Sequence, residues 1–193
     1  MEALVFFLSV FLRILPHPAN FAPMGAASIF SGAKLNKRYI FLIVLLSAFI
    51  TDYALLYINP FSDQVLNLSK LHSPFATMHA TTFFVYLSFM ISAGLGLMLR
   101  GKKFGWLKLG TLSLASATLF FLITNFGVWA TGSYARDLSG LMMSYEMGLP
   151  FFRATLASEL FYSFSIFGLY QLAAKLKSSD LARKQLKLSA EKT

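Results

Sequence analysis

The chain has 193 residues, of which 56% are hydrophobic and only 13% charged, against about 25% charged in soluble domains. So few charges cannot cover a water-facing surface of this size, which excludes an ordinary soluble domain and makes lipid the expected solvent for much of the molecule. The absence of cysteine excludes a disulfide framework, a thiol nucleophile and cysteine-ligated metal sites, and the net charge of +9 has to be read from where the basic residues fall.

Apolar segments separated by polar and Pro/Gly breaks run over 2–15, 20–33, 39–58, 75–99, 105–131 and 148–174. The first is expected to be retained rather than cleaved, because Met1-Glu2 supplies no positive charge and no small-residue cleavage site follows. It and the second segment cover only about 20 Å each at 1.5 Å per residue. They flank Pro16-His17-Pro18-Ala19-Asn20 and form either two short spans or a re-entrant hairpin. The last four reach the ~20 residues that a helix needs to cross a bilayer. Because the runs are continuously apolar and do not alternate, helices are expected in all of them. The predicted fold is an all-α, six-helix transmembrane bundle over residues 1–175, followed by a basic cytoplasmic tail, 176–193.

The basic residues orient this bundle. Lys34, Lys37 and Arg38 follow the second segment, and Arg100, Lys102, Lys103 and Lys108 follow the fourth. Lys175, Lys177, Arg183, Lys184, Lys187 and Lys192 follow the sixth. These thirteen fall on one side of an even-numbered bundle, leaving Arg13, Lys70, Arg136 and Arg153 on the other. Both ends are therefore predicted on the cytoplasmic side of a multi-pass inner-membrane protein. The basic excess is a topology signal, and no nucleic-acid partner is expected.

Polar groups inside apolar segments cost several kcal/mol unless they face a cavity or a partner, so their positions carry information. Arg13, His17 and Asn20 fall at the outer turn between the first two segments. Asp52 lies in the outer half of the third, His79 near the outer start of the fourth, and Asn125 and Trp129 near the outer end of the fifth. Glu146, Arg153 and Glu159 precede or enter the outer half of the sixth. The inner halves are almost purely apolar. This predicts an outward polar pocket above a dry inner plug. In it Arg13 and Arg153 would hold carboxylate or phosphate groups. Asn125 would fix orientation, Trp129 would stack on a planar ring, and Asp52 would orient an arginine or bind a ligand amine. Each residue also has a structural reading. Asp52 can pair with Arg13 or Arg153, Glu159 can act as similar glue, His79 can be interfacial, and Trp129 fits an aromatic belt. The small residues Gly25, Ala26, Ala27, Gly32 and Ala33 fit close helix packing.

No nucleotide-binding, zinc-protease or serine-hydrolase motif is present in the sequence, and His17, His72 and His79 lack a tight metal spacing. No cofactor or metal is expected. The leading expectation is a small-molecule binding or uptake component without its own ATPase. The alternatives are a membrane enzyme acting on a lipid or isoprenoid headgroup, with Asp52, Glu159 or His79 as acid or base, and a structural or assembly protein.

Three stretches add a resemblance. They are Arg13-Ile14-Leu15-Pro16-His17-Pro18-Ala19-Asn20-Phe21-Ala22-Pro23-Met24-Gly25-Ala26, Thr124-Asn125-Phe126-Gly127-Val128-Trp129, and Gly140-Leu141 with Tyr145 and Pro150-Phe151-Phe152-Arg153. Together they resemble the signatures of a bacterial membrane family of unknown function, over about residues 13–172. Ser158-Glu159 stands where that family has Gly-Asp, which keeps the acid. The family is in turn distantly similar to the substrate-binding (S) components of energy-coupling-factor vitamin transporters. That resemblance implies six helices, an outward pocket for a small nutrient, and a partner: a transmembrane coupling subunit with ATPases. S components dock through an A-x-x-x-A pattern on the first helix, and Ala22 and Ala26 carry that spacing here in the second segment.

Overall fold

A computed structural model gives the fold. It describes residues 2–15, 17–18, 20–58, 66, 73–101 and 105–190, with the side chains of residue 74 and from residue 180 onward excepted. Pro16, Ala19, Lys70, His72, Lys102, Lys103 and Lys192, all named above, lie outside the described residues. The described residues form six α-helices: α1 (Glu2–Phe11), α2 (Met24–Lys34), α3 (Ile40–Leu55), α4 (Thr82–Leu97), α5 (Trp106–Ala130) and α6 (Leu138–Ala190). Short 3-10 turns cover Leu12–Ile14 and Pro74–Thr77. Among the described residues there is no strand, only an isolated antiparallel bridge between Ile58 and Leu66.

The centre of the bundle is α2, a helix of 11 residues with nine buried, which packs against all five others. Its composition explains this position. Ala26, Ala27, Gly32 and Ala33 let neighbouring backbones approach, while Ile29 and Phe30 fill the space between them. The tightest approach is to α4, where Gly32 lies against the Ala93 carbonyl and Gly96 against the backbone of Ile29. Three basic side chains finish this end of the bundle. Arg100 donates from Nε to the Gly32 carbonyl at 2.7 Å and from a terminal nitrogen to the Leu35 carbonyl at 2.5 Å. These are carbonyls that the end of α2 leaves without helical partners. Lys108 Nζ serves the Met98 carbonyl at 2.6 Å, beyond the last turn of α4, and Lys34 lies 5.0 Å from the centre of the Tyr170 ring. Just inside this end, Phe30 meets Phe167 edge-on at 5.3 Å, with Ile29, Leu99 and Leu109 buried beside them.

The outer surface is as apolar as the core. Phe7, Phe41, Leu46, Ile50, Leu122, Phe161 and Leu169 are each 43–63% exposed, so large side chains of α1, α3, α5 and α6 face outward where a water-facing helix carries charges. Among the described residues α5, at 25 residues and about 37 Å, is the one helix long and apolar enough to cross a membrane. The apolar helices α3 and α4, at 16 residues each, are about 24 Å long.

Several boundaries differ from expectation. The fourth segment was predicted from residue 75, but α4 starts at Thr82. Pro74 opens a separate turn whose N-cap is the Ser73 hydroxyl, and His79 falls in the link. The sixth segment was predicted from residue 148, but α6 starts at Leu138. There Asp137 Oδ1 accepts hydrogen bonds from the Gly140 amide and the Ser139 hydroxyl, both 2.8 Å. This is a side-chain N-cap, and the Gly140 amide, with Ser139 beside it, holds the Asp137 carboxyl below the usual carboxylate range. The helix runs through Pro150 and on to Ala190, so the boundary placed at 175/176 falls inside one continuous helix.

Candidate functional site

At the end opposite Arg100 and Lys108, the described residues line three neighbouring cavities. The main one, about 330 Å³, is walled by the turn before α2 and by α4, α5 and α6, with Arg13, His17, Asn20, Phe89, Phe120 and Glu159 among its lining. A second, about 320 Å³, shares Arg13, Leu55 and Val85 with it and adds Asp52, His79 and Tyr86. A third, about 140 Å³, shares Asn20, Phe120 and Thr155 and adds Asn125 and Gly148. The main cavity is of a size to hold a small molecule.

Arg13 joins the first two cavities. It forms an ion pair with Asp52 at 2.5 Å, donates to the Thr51 hydroxyl at 2.6 Å, and reaches the Ala48 carbonyl at 3.3 Å. Asp52 in turn accepts from the Tyr86 hydroxyl at 2.6 Å. Of the two arginines considered for Asp52, the structure selects Arg13. Both side chains are largely shielded, 15% and 21% exposed, so the pair is far from a surface salt bridge. Both terminal nitrogens of the guanidinium are engaged by groups of the protein itself.

Glu159 differs. It is 4% exposed and lines the main cavity, and its Oε1 has no hydrogen-bond partner. Its carboxylate rests against Gly25 in the first turn of α2, where any side chain at position 25 would collide with it. The neighbouring hydroxyls of Ser92 and Ser116 hold each other at 2.8 Å, and Ser92 also reaches the Ser88 carbonyl at 2.9 Å. Among the described residues, the buried hydroxyls of Ser113 and Ser163 also have no partner. They lie three and four residues from Ser116 and Glu159, one turn deeper toward the basic end. Buried polar atoms are rarely left unpaired, and each such atom calls for an explanation.

The remaining predicted residues divide. His17 turns both ring nitrogens toward backbone carbonyls, Nδ1 to Pro18 at 3.0 Å and Nε2 to Arg13 at 3.2 Å; a neutral ring donates to one of them. Asn20 takes φ +58°, a left-handed conformation that asparagine tolerates and most residues do not. That conformation lets the chain reverse into α2, and Asn20 lines two cavities. Asn125 donates to the Phe121 carbonyl at 2.8 Å and packs against Gly148, on the third cavity. His79 lines the second, where its backbone amide donates to the Thr82 hydroxyl at 2.8 Å.

Three predicted residues are not brought to these cavities. Trp129 spends its indole N–H on the Ala135 and Asp137 carbonyls, at 3.0 and 3.2 Å, and so ties down the loop between α5 and α6. Glu146 and Arg153 are exposed. They are seven residues apart on α6 and share one face, whereas Glu159 lies about 120° around the helix from Arg153 at 3.6 residues per turn. The Ala22/Ala26 pair is no outer docking face either. Ala26 is fully buried and Ala22 lines the main cavity.

Sequence reasoning missed Thr51, Tyr86, Ser92, Ser116 and the Phe89–Phe120 pair. A signal was available for the hydroxyls. Ser88 and Ser92, and Ser113 and Ser116, sit three or four residues apart within apolar runs, a spacing that puts each pair on one helix face. Among the described residues no cluster of three or more metal-ligating side chains occurs, and Asp52 and Glu159, two of the residues offered as acid or base, line different cavities.

No curated protein and no solved structure matches this chain. A family profile does, over residues 1–182. That covers nearly the whole sequence, and the chain belongs to the family of unknown function DUF6580.

Proposed function

We propose that the protein is a six-span component of the inner membrane, with both ends cytoplasmic, that binds a small molecule in the cavities of its outer half. In this reading it has no ATPase of its own and relies on a partner, a transmembrane coupling subunit with ATPases, to complete uptake, as the S components of energy-coupling-factor transporters do. The observation that carries the reading is the main cavity itself: about 330 Å³, with a buried, unpartnered carboxylate oxygen on its wall. Supporting it are the outward-facing apolar side chains, the gathering of Lys34, Arg100 and Lys108 at the far end, and the plug of Phe30, Phe167 and Ile29 between. Short helices such as α1 and α2 cross jointly or as a hairpin in this arrangement.

The test is a thermal-shift screen of purified protein against vitamins, nucleobases and lipid headgroups. A ligand present at 100 times its Kd should stabilise the fold by about 2.7 kcal/mol. Val85 lines both large cavities and is half-buried, so Val85→Trp would fill them from the wall. A shift seen in the wild type and lost in folded Val85→Trp supports the reading. A screen with no shift, or one unchanged by the filled cavity, contradicts it.

A further inference from the structure

Resting on the small-molecule reading above, we infer that the ligand of the main cavity is a small organic cation, its positive group seated on Glu159. The inference comes from following each charge at the site to its partner. Arg13 was expected to hold an anionic ligand group, but its guanidinium is committed to Asp52, Thr51 and Ala48. Arg153, the other arginine assigned to anion binding, is exposed and off the cavity. His17 is turned onto two backbone carbonyls. Glu159 is what remains: a carboxylate 4% exposed, on the cavity wall, with Oε1 unpartnered. The Ser116 hydroxyl bonds to the carboxyl group but brings no counter-charge. A buried carboxylate without a counter-charge is costly, and a ligand cation that donates hydrogen bonds to it removes that cost.

The rest of the wall suits the same chemistry. Ser92 and Ser116 present hydroxyl oxygens, which accept hydrogen bonds from an ammonium or amidinium. Phe89 and Phe120 both line the cavity and stack on each other with centroids 5.7 Å apart. Aromatic rings attract a cation and cover the apolar body that carries it. An anion would meet the Glu159 carboxylate, aromatic rings and a guanidinium already paired with Asp52.

The experiment uses two series of similar shape and different charge: benzamidine, benzamide and benzoate, and cyclohexylmethylamine, cyclohexylmethanol and cyclohexanecarboxylate. Each is titrated against detergent-purified wild type, Glu159→Gln and Glu159→Asp, with melting temperature as readout. Each variant is first checked for a monodisperse, cooperatively melting fold. In the wild type at least one cation should bind about tenfold tighter than its neutral isostere, the difference between a charged and a neutral hydrogen bond. Glu159→Gln should abolish that preference and Glu159→Asp should retain most of it. Preference for the neutral or anionic member overturns the inference and leaves a binding cavity standing. A cation preference that survives Glu159→Gln overturns the seat of the charge. If no member of either series binds while the wider vitamin and nucleobase screen gives a hit lost in Val85→Trp, the cation inference fails alone. If that screen is empty as well, both readings fail.

Discussion

Alanine at Gly32 is expected to destabilise the bundle strongly, while alanine at Gly94, two residues from Gly96 on α4, is expected to be neutral or mildly stabilising. The same methyl group is added in both cases. At Gly32 it would fall on the Ala93 carbonyl and the Gly96 Cα, and at Gly94 it would meet open space. Backbone atoms cannot rotate away as a side-chain tip does, so α2 and α4 would have to separate. Because α2 packs on every other helix, that separation would be felt throughout the core. Overpacking costs typically 1–3 kcal/mol, and a backbone collision belongs at the upper end, about 3 kcal/mol. Gly96→Ala should behave like Gly32→Ala, since its methyl would meet the Ile29 backbone. At Gly94 the better helix propensity of alanine is worth up to about 1 kcal/mol. Thermal melts of the three variants decide the matter. Equal melting temperatures for Gly32→Ala and Gly94→Ala would contradict this packing.

Arg13→Ala is expected to lower stability by about 3 kcal/mol, because it leaves a shielded carboxylate with one hydrogen bond where it had an ion pair as well. Asp52 would retain only the Tyr86 hydroxyl, and Thr51 would lose the donor that now reaches it. The double variant Arg13→Met with Asp52→Leu removes both charges and keeps most of the volume. It is expected to melt closer to wild type than Arg13→Ala does, since replacing a buried pair with apolar residues is often neutral. This comparison separates two roles. If the pair serves mainly to neutralise Asp52, the double variant regains stability. If Arg13→Ala alone melts like wild type, the pair contributes nothing to the fold.

Much of this arrangement was legible in the chain. Gly32 and its small neighbours announced close helix packing because an apolar helix with little bulk has no other way to bury itself. The Arg13–Asp52 pair was legible as one of two options, since an acid and a base in apolar segments must find each other. The alternation of basic residues separated Lys34, Arg100 and Lys108 from Arg13 and Arg136, and the structure sets the first three at one end of the bundle. Helix phase was harder. Glu146 and Arg153 carry the residue types of a binding site, but apolar residues on every side of α6 leave no amphipathic stripe to fix which face turns inward. Trp129 was ambiguous for a related reason. An indole at the end of an apolar segment suits a ligand, a lipid interface or a loop, and only the turn at Ala135–Asp137 decides. The start of α6 was hidden because Leu138–Met147 reads as mixed loop until Asp137 is recognised as its cap.

The lack of cysteine allows the most direct test of the outward-opening cavity. Single cysteines at Ser133, in the exposed loop between α5 and α6, at Thr155, on the cavity wall, and at Lys108, exposed at the basic end, would be treated in intact spheroplasts with a membrane-impermeant maleimide. The account expects Ser133→Cys and Thr155→Cys to label from outside and Lys108→Cys to label only after the membrane is broken. Labelling of Lys108→Cys from outside, or of all three alike, would contradict it.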